Sequence, residues 1–167
     1  MSCDRENEKE FIFNKYGDNW NSISQYKYLS ESFIREFADK VDWYHISGRQ
    51  KLSEAFIEEF EDKIDWAIIS WYQNLSESFI KKYIDKPFNW RSISAKQKLS
   101  ESFIREFPDK ICWMSICGRQ TLSESFIREF ADKVHWNKIS NYQSLSEEFI
   151  REFQNKVYWV DISARQT

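Results

Sequence analysis

The chain is poor in the residues that interrupt regular structure: its 167 residues include three glycines and two prolines. That scarcity argues against disorder and against turn-rich β architectures. Cysteine is also sparse. Cys3, Cys112 and Cys117 are an odd set without framework spacing, which suits a reducing compartment and predicts a cytoplasmic protein, with the nucleus the other reducing site. Apolar runs extend only a few residues, so no membrane span is expected, and the charged start MSCDRENEKE lacks a secretory apolar segment. Neither sign of charge prevails. A formal net charge of −3 speaks to solubility and gives no pointer to a polyanionic partner. What the chain has in quantity is apolar and aromatic material, 41% and 18%, enough for a continuous core.

That material is ordered as a repeat. The phrase LSESFIREFADKVDWYHISGRQK at 29–51 returns, with changes, at 52–74, 75–98, 99–121, 122–144 and 145–167. The period is 23 residues, with one unit of 24. A tandem array of this period predicts one continuous α-solenoid domain, a right-handed superhelix in which each unit buries its apolar face against its neighbours. Residues 1–28 read as a degenerate capping repeat, because Trp20, Ile23 and Ser24 match the second half of the later units.

One unit shows why the units are helical hairpins. Leu52, Phe56, Ile57, Phe60 and Ile64 lie on one helical stripe. Ser53 suits the N-cap, Glu54 the first turn, and Leu52 with Ile57 occupies the two positions of a hydrophobic staple. Asp65, Trp66, Ile64 and Ile69 repeat that grammar, which predicts two helices over Ser53–Asp62 and Trp66–Gln73. No unit alternates with period two, and the L-x-x-L-x-L strand signature of leucine-rich repeats is missing. Pro87 should sit with the inserted residue in the joint of the third unit and change the local twist, and Pro108 should kink or shorten the last turn of its helix.

Most of the recurring chemistry has a structural reading. Glu31–Arg35, Glu101–Arg105, Glu124–Arg128 and Glu147–Arg151 are expected ion pairs four residues apart on the first helices, and Glu36–Lys40, Glu59–Lys63, Glu106–Lys110 and Glu129–Lys133 form a second expected series. The column Trp20, Trp43, Trp66, Trp90, Trp113, Trp136 and Trp159 reads as interlocked core. The column Gln50, Gln73, Gln97, Gln120, Gln143 and Gln166 is expected to bond the joint to the next hairpin. His45 and His135 stand in different columns, and Cys112 with Cys117 has no second pair, so no metal site is expected. No nucleophile motif or phosphate loop is present; neither enzymatic activity nor a cofactor is expected.

Recognition is expected where the units differ inside a fixed frame. Between Trp and Ile the units read Tyr44-His45, Ala67-Ile68, Arg91-Ser92, Met114-Ser115, Asn137-Lys138 and Val160-Asp161. Trp71 replaces a small residue and adds a natural contact. Together these point to a surface for a protein or peptide partner. A second column, Arg49, Tyr72, Lys96, Arg119, Tyr142 and Arg165, places cations and aromatics one per unit and suits single-stranded nucleic acid as the alternative. A third alternative is self-association through the C-terminal repeat, which Thr167 finishes in phase without a polar cap.

The phrase LSE-x-FI-x-x-F-x-DKV-x-W-x-x-IS, carried most fully by Leu122, Ser123, Glu124, Phe126, Ile127, Phe130, Asp132, Lys133, Val134, Trp136, Ile139 and Ser140, resembles the short repeats of uncharacterised proteins from giant, mimivirus-like viruses of amoebae. The resemblance covers about residues 29–167. It implies a viral protein in the host cytoplasm or virus factory that acts on host proteins, and it carries no activity with it.

Overall fold

The computed structural model describes the backbone of residues 2–26 and 28–165 and the side chains of 6–26 and 28–164. The Cys3 and Arg165 side chains and Gln166 lie outside that description. The described residues form fourteen α-helices and no strand. After α1 (Ser2–Tyr16) and α2 (Trp20–Gln25) the hairpins follow in strict alternation. Their first helices are α3 (Glu31–Glu36), α5 (Glu54–Glu59), α7 (Glu77–Lys82), α9 (Glu101–Glu106), α11 (Glu124–Glu129) and α13 (Glu147–Glu152). Their second helices are α4 (Trp43–Arg49), α6 (Trp66–Tyr72), α8 (Trp90–Lys96), α10 (Trp113–Arg119), α12 (Trp136–Tyr142) and α14 (Trp159–Arg165). The tandem hairpins expected from the period are therefore present.

The chain divides into two compact units, one of Met1–Leu75 with Lys82–Phe88, the other of Ser76–Lys81 with Asn89–Thr167. The division falls within the irregular third hairpin. There the inserted segment places Phe88 in the first unit, buried against the Trp66 ring at 5.2 Å, with Tyr83 at 5.1 Å on the same indole. Trp66 is accordingly the most enclosed of the column's tryptophans, 5% exposed.

First helices are shorter than the apolar stripe suggests. Helix α5 ends at Glu59, not Asp62, because Phe60 leaves helical geometry (φ −115°, ψ 32°) and its carbonyl accepts from the Lys63 and Ile64 amides in one closing turn. The Trp66 indole then donates to the Glu61 carbonyl (3.1 Å), so the tryptophan that opens the second helix also ties down the joint before it. Trp43, Trp113, Trp136 and Trp159 make the same bond five residues back. Pro108 is thus outside α9, beyond its C-cap Phe107, and kinks nothing; its carbonyl is the acceptor for Trp113.

Stacking between consecutive hairpins is aromatic. Trp43 packs on Phe56 and Phe60 of the following hairpin (6.2 and 4.9 Å between centroids), Trp113 on Phe126 and Phe130 (6.3 and 5.0 Å), and Trp136 on Phe149 and Phe153 (6.2 and 4.8 Å). A lysine from the following hairpin lies over two of these indoles, Lys63 over Trp43 at 5.8 Å and Lys156 over Trp136 at 5.5 Å. Each of the two rings loses water on one face to apolar carbon and gains a cation on its π cloud.

Helix α1 stands in the place of a first helix. Its Glu8 accepts from the Ser30 amide (2.7 Å), as Glu31 does from Ser53 and Glu101 from Ser123 (both 2.6 Å). It ends at Gly17, whose φ of +55° is the left-handed closure that glycine reaches without steric cost.

Candidate functional site

The repeating columns divide into those that hold hairpins together and those left on the surface. At Gln50, Gln73, Gln120 and Gln143 the glutamine column is of the first kind. The Gln73 carbonyl oxygen accepts from the Leu52 amide (3.1 Å), and its amide group donates to the Ser47 and Gln50 carbonyls (2.9 and 2.8 Å). Gln120 does the same with Leu99, Ser94 and Gln97 (3.2, 3.1 and 2.8 Å). The two donated bonds run to the end of the preceding hairpin, not the next one, and the accepted bond comes from the first residue of the glutamine's own unit. The reason is polarity: the preceding second helix ends in free carbonyls, which need donors.

A serine column does related work that sequence reasoning passed over. Ser47 donates to the Trp43 carbonyl (2.7 Å) and accepts from the Asp65 amide of the next hairpin (3.1 Å). Ser94 and Ser140 make equivalent pairs with Trp90 and Cys112, and with Trp136 and Tyr158. The available signal was the recurring Ile-Ser dipeptide, broken once, at Ile116-Cys117. Cys117 fills that buried slot and accepts from the His135 amide through sulfur (3.3 Å), and burial pushes its thiol up to about 11.

Charge on the first helices is internally neutralised. The four expected Glu–Arg pairs within helices form, at 3.3–3.9 Å. The second expected series is replaced by pairs between hairpins, because the arginines and lysines reach across to the next or the preceding unit. Arg35 meets Glu59, Arg105 meets Glu129 and Arg128 meets Glu152 at 2.7–2.8 Å, while Lys63 meets Asp39 at 2.9 Å. Arg35 and Arg105 also lie over Phe56 and Phe126 at 5.0 and 4.9 Å.

The expected recognition residues separate into two rows. Tyr44, Ala67, Arg91, Met114 and Asn137, directly after each Trp, are exposed. In four of the six units the next residue turns toward the preceding hairpin. His45 Nε2 is 3.2 Å from Gln25 Nε2, and a methyl of Ile68 lies 3.1 Å from where a Gly48 Cβ would be. Lys138 runs beside Gly118, and the carboxylate of Asp161 accepts from Asn141 (2.8 Å). Ser92 is buried and Ser115 half-buried. Half of the variable pair is therefore packing between repeats. Trp71 is 45% exposed, and among the described residues Val160 is the most exposed large apolar side chain.

The alternative column is on the surface throughout its described length. Arg49, Lys96 and Arg119 are exposed, as are Tyr72 and Tyr142 at 63% and 51%. Among the described ion pairs none involves Arg49 or Arg119, in contrast to the arginines of the first helices. In the first unit Tyr44, His45, Gly48, Arg49, Ile68 and Tyr72 line an open concavity of about 530 Å³ between α4 and α6. A second hollow of about 370 Å³ continues past Arg49 and Tyr72 to Lys51, Glu54 and Asn74.

Among the described residues no three His, Cys, Asp or Glu side chains are grouped to hold a metal ion, and no helix is long and apolar enough to cross a membrane. No family model, curated protein or solved structure matches the chain.

Proposed function

We propose that the chain is a non-enzymatic repeat scaffold that binds protein or peptide segments along the outer faces of its second helices. One observation carries this reading: the arginines of the first helices are matched by carboxylates, whereas Arg49 and Arg119 on the second helices stand exposed without them beside exposed tyrosines. Tyr, Trp, Met and Arg on a surface are the residues that interfaces concentrate. The resemblance to giant-virus repeats makes a host protein in the cytoplasm the proposed partner.

Selection of random dodecapeptides by display tests the reading. The wild-type protein should enrich related sequences, and the triple variant Arg49→Glu, Lys96→Glu, Arg119→Glu should not. The same Arg–Tyr succession supports a second reading, single-stranded nucleic acid, in which the cations take phosphates and the tyrosines stack on bases. Fluorescence anisotropy with an oligouridylate at low salt decides it: salt-sensitive binding lost in the triple variant would favour that reading. If neither peptide enrichment nor oligonucleotide binding is seen, the binding function is refuted. Self-association is a third reading, supported by Trp159, which is 53% exposed where its siblings are half-buried or buried, and by Val160 beside it. Sedimentation with and without residues 145–167 tests it, and a monomer in both cases removes it.

A further inference from the structure

The repeats carry a longer rhythm than the hairpin. In the positions before the invariant glutamine the units read Gly48-Arg49, Trp71-Tyr72 and Ala95-Lys96, then Gly118-Arg119, Asn141-Tyr142 and Ala164-Arg165. The succession glycine-arginine, Trp- or Asn-tyrosine, alanine-cation thus occurs twice along the chain, and the first two steps of each set lie within one compact unit. The concavity between α4 and α6 is the product of its first two steps. The same two steps recur between α10 and α12. A Cβ on Gly118 would lie 3.9 Å from the Tyr142 ring, as one on Gly48 would lie 3.7 Å from the Tyr72 ring.

Neither glycine is explained by backbone geometry, since Gly17 is the sole positive-φ residue described. Apart from proline, glycine is the poorest residue for a helix interior. At position 118 an alanine would make only ordinary contacts, and alanine serves at Ala95. The missing side chain lets the next hairpin approach at both places, with an Ile68 methyl 3.1 Å from a Gly48 Cβ and the Lys138 chain 3.7 Å from a Gly118 Cβ, and this brings each arginine's helix close to a tyrosine.

From this we infer that the chain holds two equivalent peptide subsites, one built on Gly48, Arg49 and Tyr72 and the other on Gly118, Arg119 and Tyr142. Each takes an acidic side chain of a partner polypeptide on its arginine and an adjacent aromatic or aliphatic side chain against its tyrosine. This rests on the binding function proposed above and names its ligand class. Charge complementarity decides the occupant. Each site offers one exposed arginine without a carboxylate partner. The hollow beside the first also includes Glu54, which repels a continuous polyanion but tolerates an isolated carboxylate. The neighbours differ, His45 and Ile68 at the first site and Ser115 and Lys138 at the second, so the first should prefer the more apolar segment and the second the more acidic one.

The three glycines supply the assay, because their amide resonances separate from the rest and two of the three lie in the sites. The ¹⁵N-labelled full chain is titrated with acetyl-Asp-Glu-Phe-Asp-Glu-Leu amide, with its Lys-for-acid analogue, and with decauridylate. The acidic peptide should shift Gly48 and Gly118 saturably and leave Gly17 in place. Arg49→Glu should weaken the Gly48 response at least tenfold and spare Gly118, and Arg119→Glu should do the reverse. Both changes are at exposed positions, so loss of the fold does not intervene. Peptide shifts elsewhere with both site glycines still would overturn the two-site inference and leave the general binding function standing. Equal response to the lysine analogue, a shift of one site only, or a response to decauridylate alone also overturns it. No shift with any probe overturns the inference, while the display selection continues to judge the broader reading.

Discussion

Gln120 offers the sharpest test of how the hairpins are joined. Its side chain makes three hydrogen bonds in a buried slot, to the Leu99 amide and to the Ser94 and Gln97 carbonyls. Each is worth roughly 0.5–1.5 kcal/mol net, and a buried group left unmatched costs about 1–3 kcal/mol. Gln120→Ala removes all three bonds, and water entering at the slot, which is 9% exposed, recovers part of the loss. The expected cost is about 3–4 kcal/mol, a large share of the ~5–15 kcal/mol that holds a domain folded. Urea denaturation followed by circular dichroism, with hydrogen exchange at the Leu99 amide, reads both the global and the local effect. Gln120→Glu sharpens the argument, because a carboxylate still accepts from Leu99 but faces two carbonyls with no donor. Burial raises that introduced carboxyl above its unfolded value of about 4.3. A raised folded value means the stability is present below the unfolded value and lost as pH climbs through the folded one, so the variant should recover on acidification. A loss under about 1 kcal/mol for Gln120→Ala, the size expected of an exposed ion pair such as Arg105–Glu129, would refute the joining role.

Three further outcomes follow from the same framework. Ser47→Ala should cost about 1–3 kcal/mol by stranding the Asp65 amide, while Cys117→Ser, which installs the hydroxyl found at the sister positions, should shift stability by less than about 1 kcal/mol; paired urea curves compare them. His135 caps α12 without a side-chain bond, whereas Asp42 and Asp65 accept from amides of α4 and α6. His135→Asp should therefore stabilise by about 1 kcal/mol in thermal denaturation, and no gain would count against the capping account. Burial pushes the Cys112 thiol up, but hydrogen bonds from Ser115 and the charge of Arg91 outweigh it and leave it below the ordinary value, while Cys117 is raised. Iodoacetamide on the native protein should modify Cys112 and spare Cys117 in a peptide mass map; modification of Cys117 at a similar rate would contradict its burial.

The local grammar is legible in the sequence. Ser53 and Asp65 cap where their side chains and positions say they should, and Leu52 and Ile64 are buried as the outer halves of their staples. The end of α5 is not legible in the sequence, because Phe60 and Ile64 continue the apolar stripe although the backbone between them has already turned. At the site, the exposed half of the variable pair was legible and the packed half was not. Variation looks the same whether a side chain faces water or the Gly48 slot of a neighbouring hairpin.

The sequence alone determined the hairpin, its period and its caps, because those depend on residues within a few positions of one another. Only the tertiary structure decided where the glutamines reach, that Arg35 also meets Glu59 of the next hairpin, and that the Ile-Ser dipeptide is a hydrogen-bonded joint between repeats. Those partners lie roughly one repeat away along the chain. Their identity rests on the rotational phase at which one hairpin settles on the next, and no offset within a single helix encodes that phase.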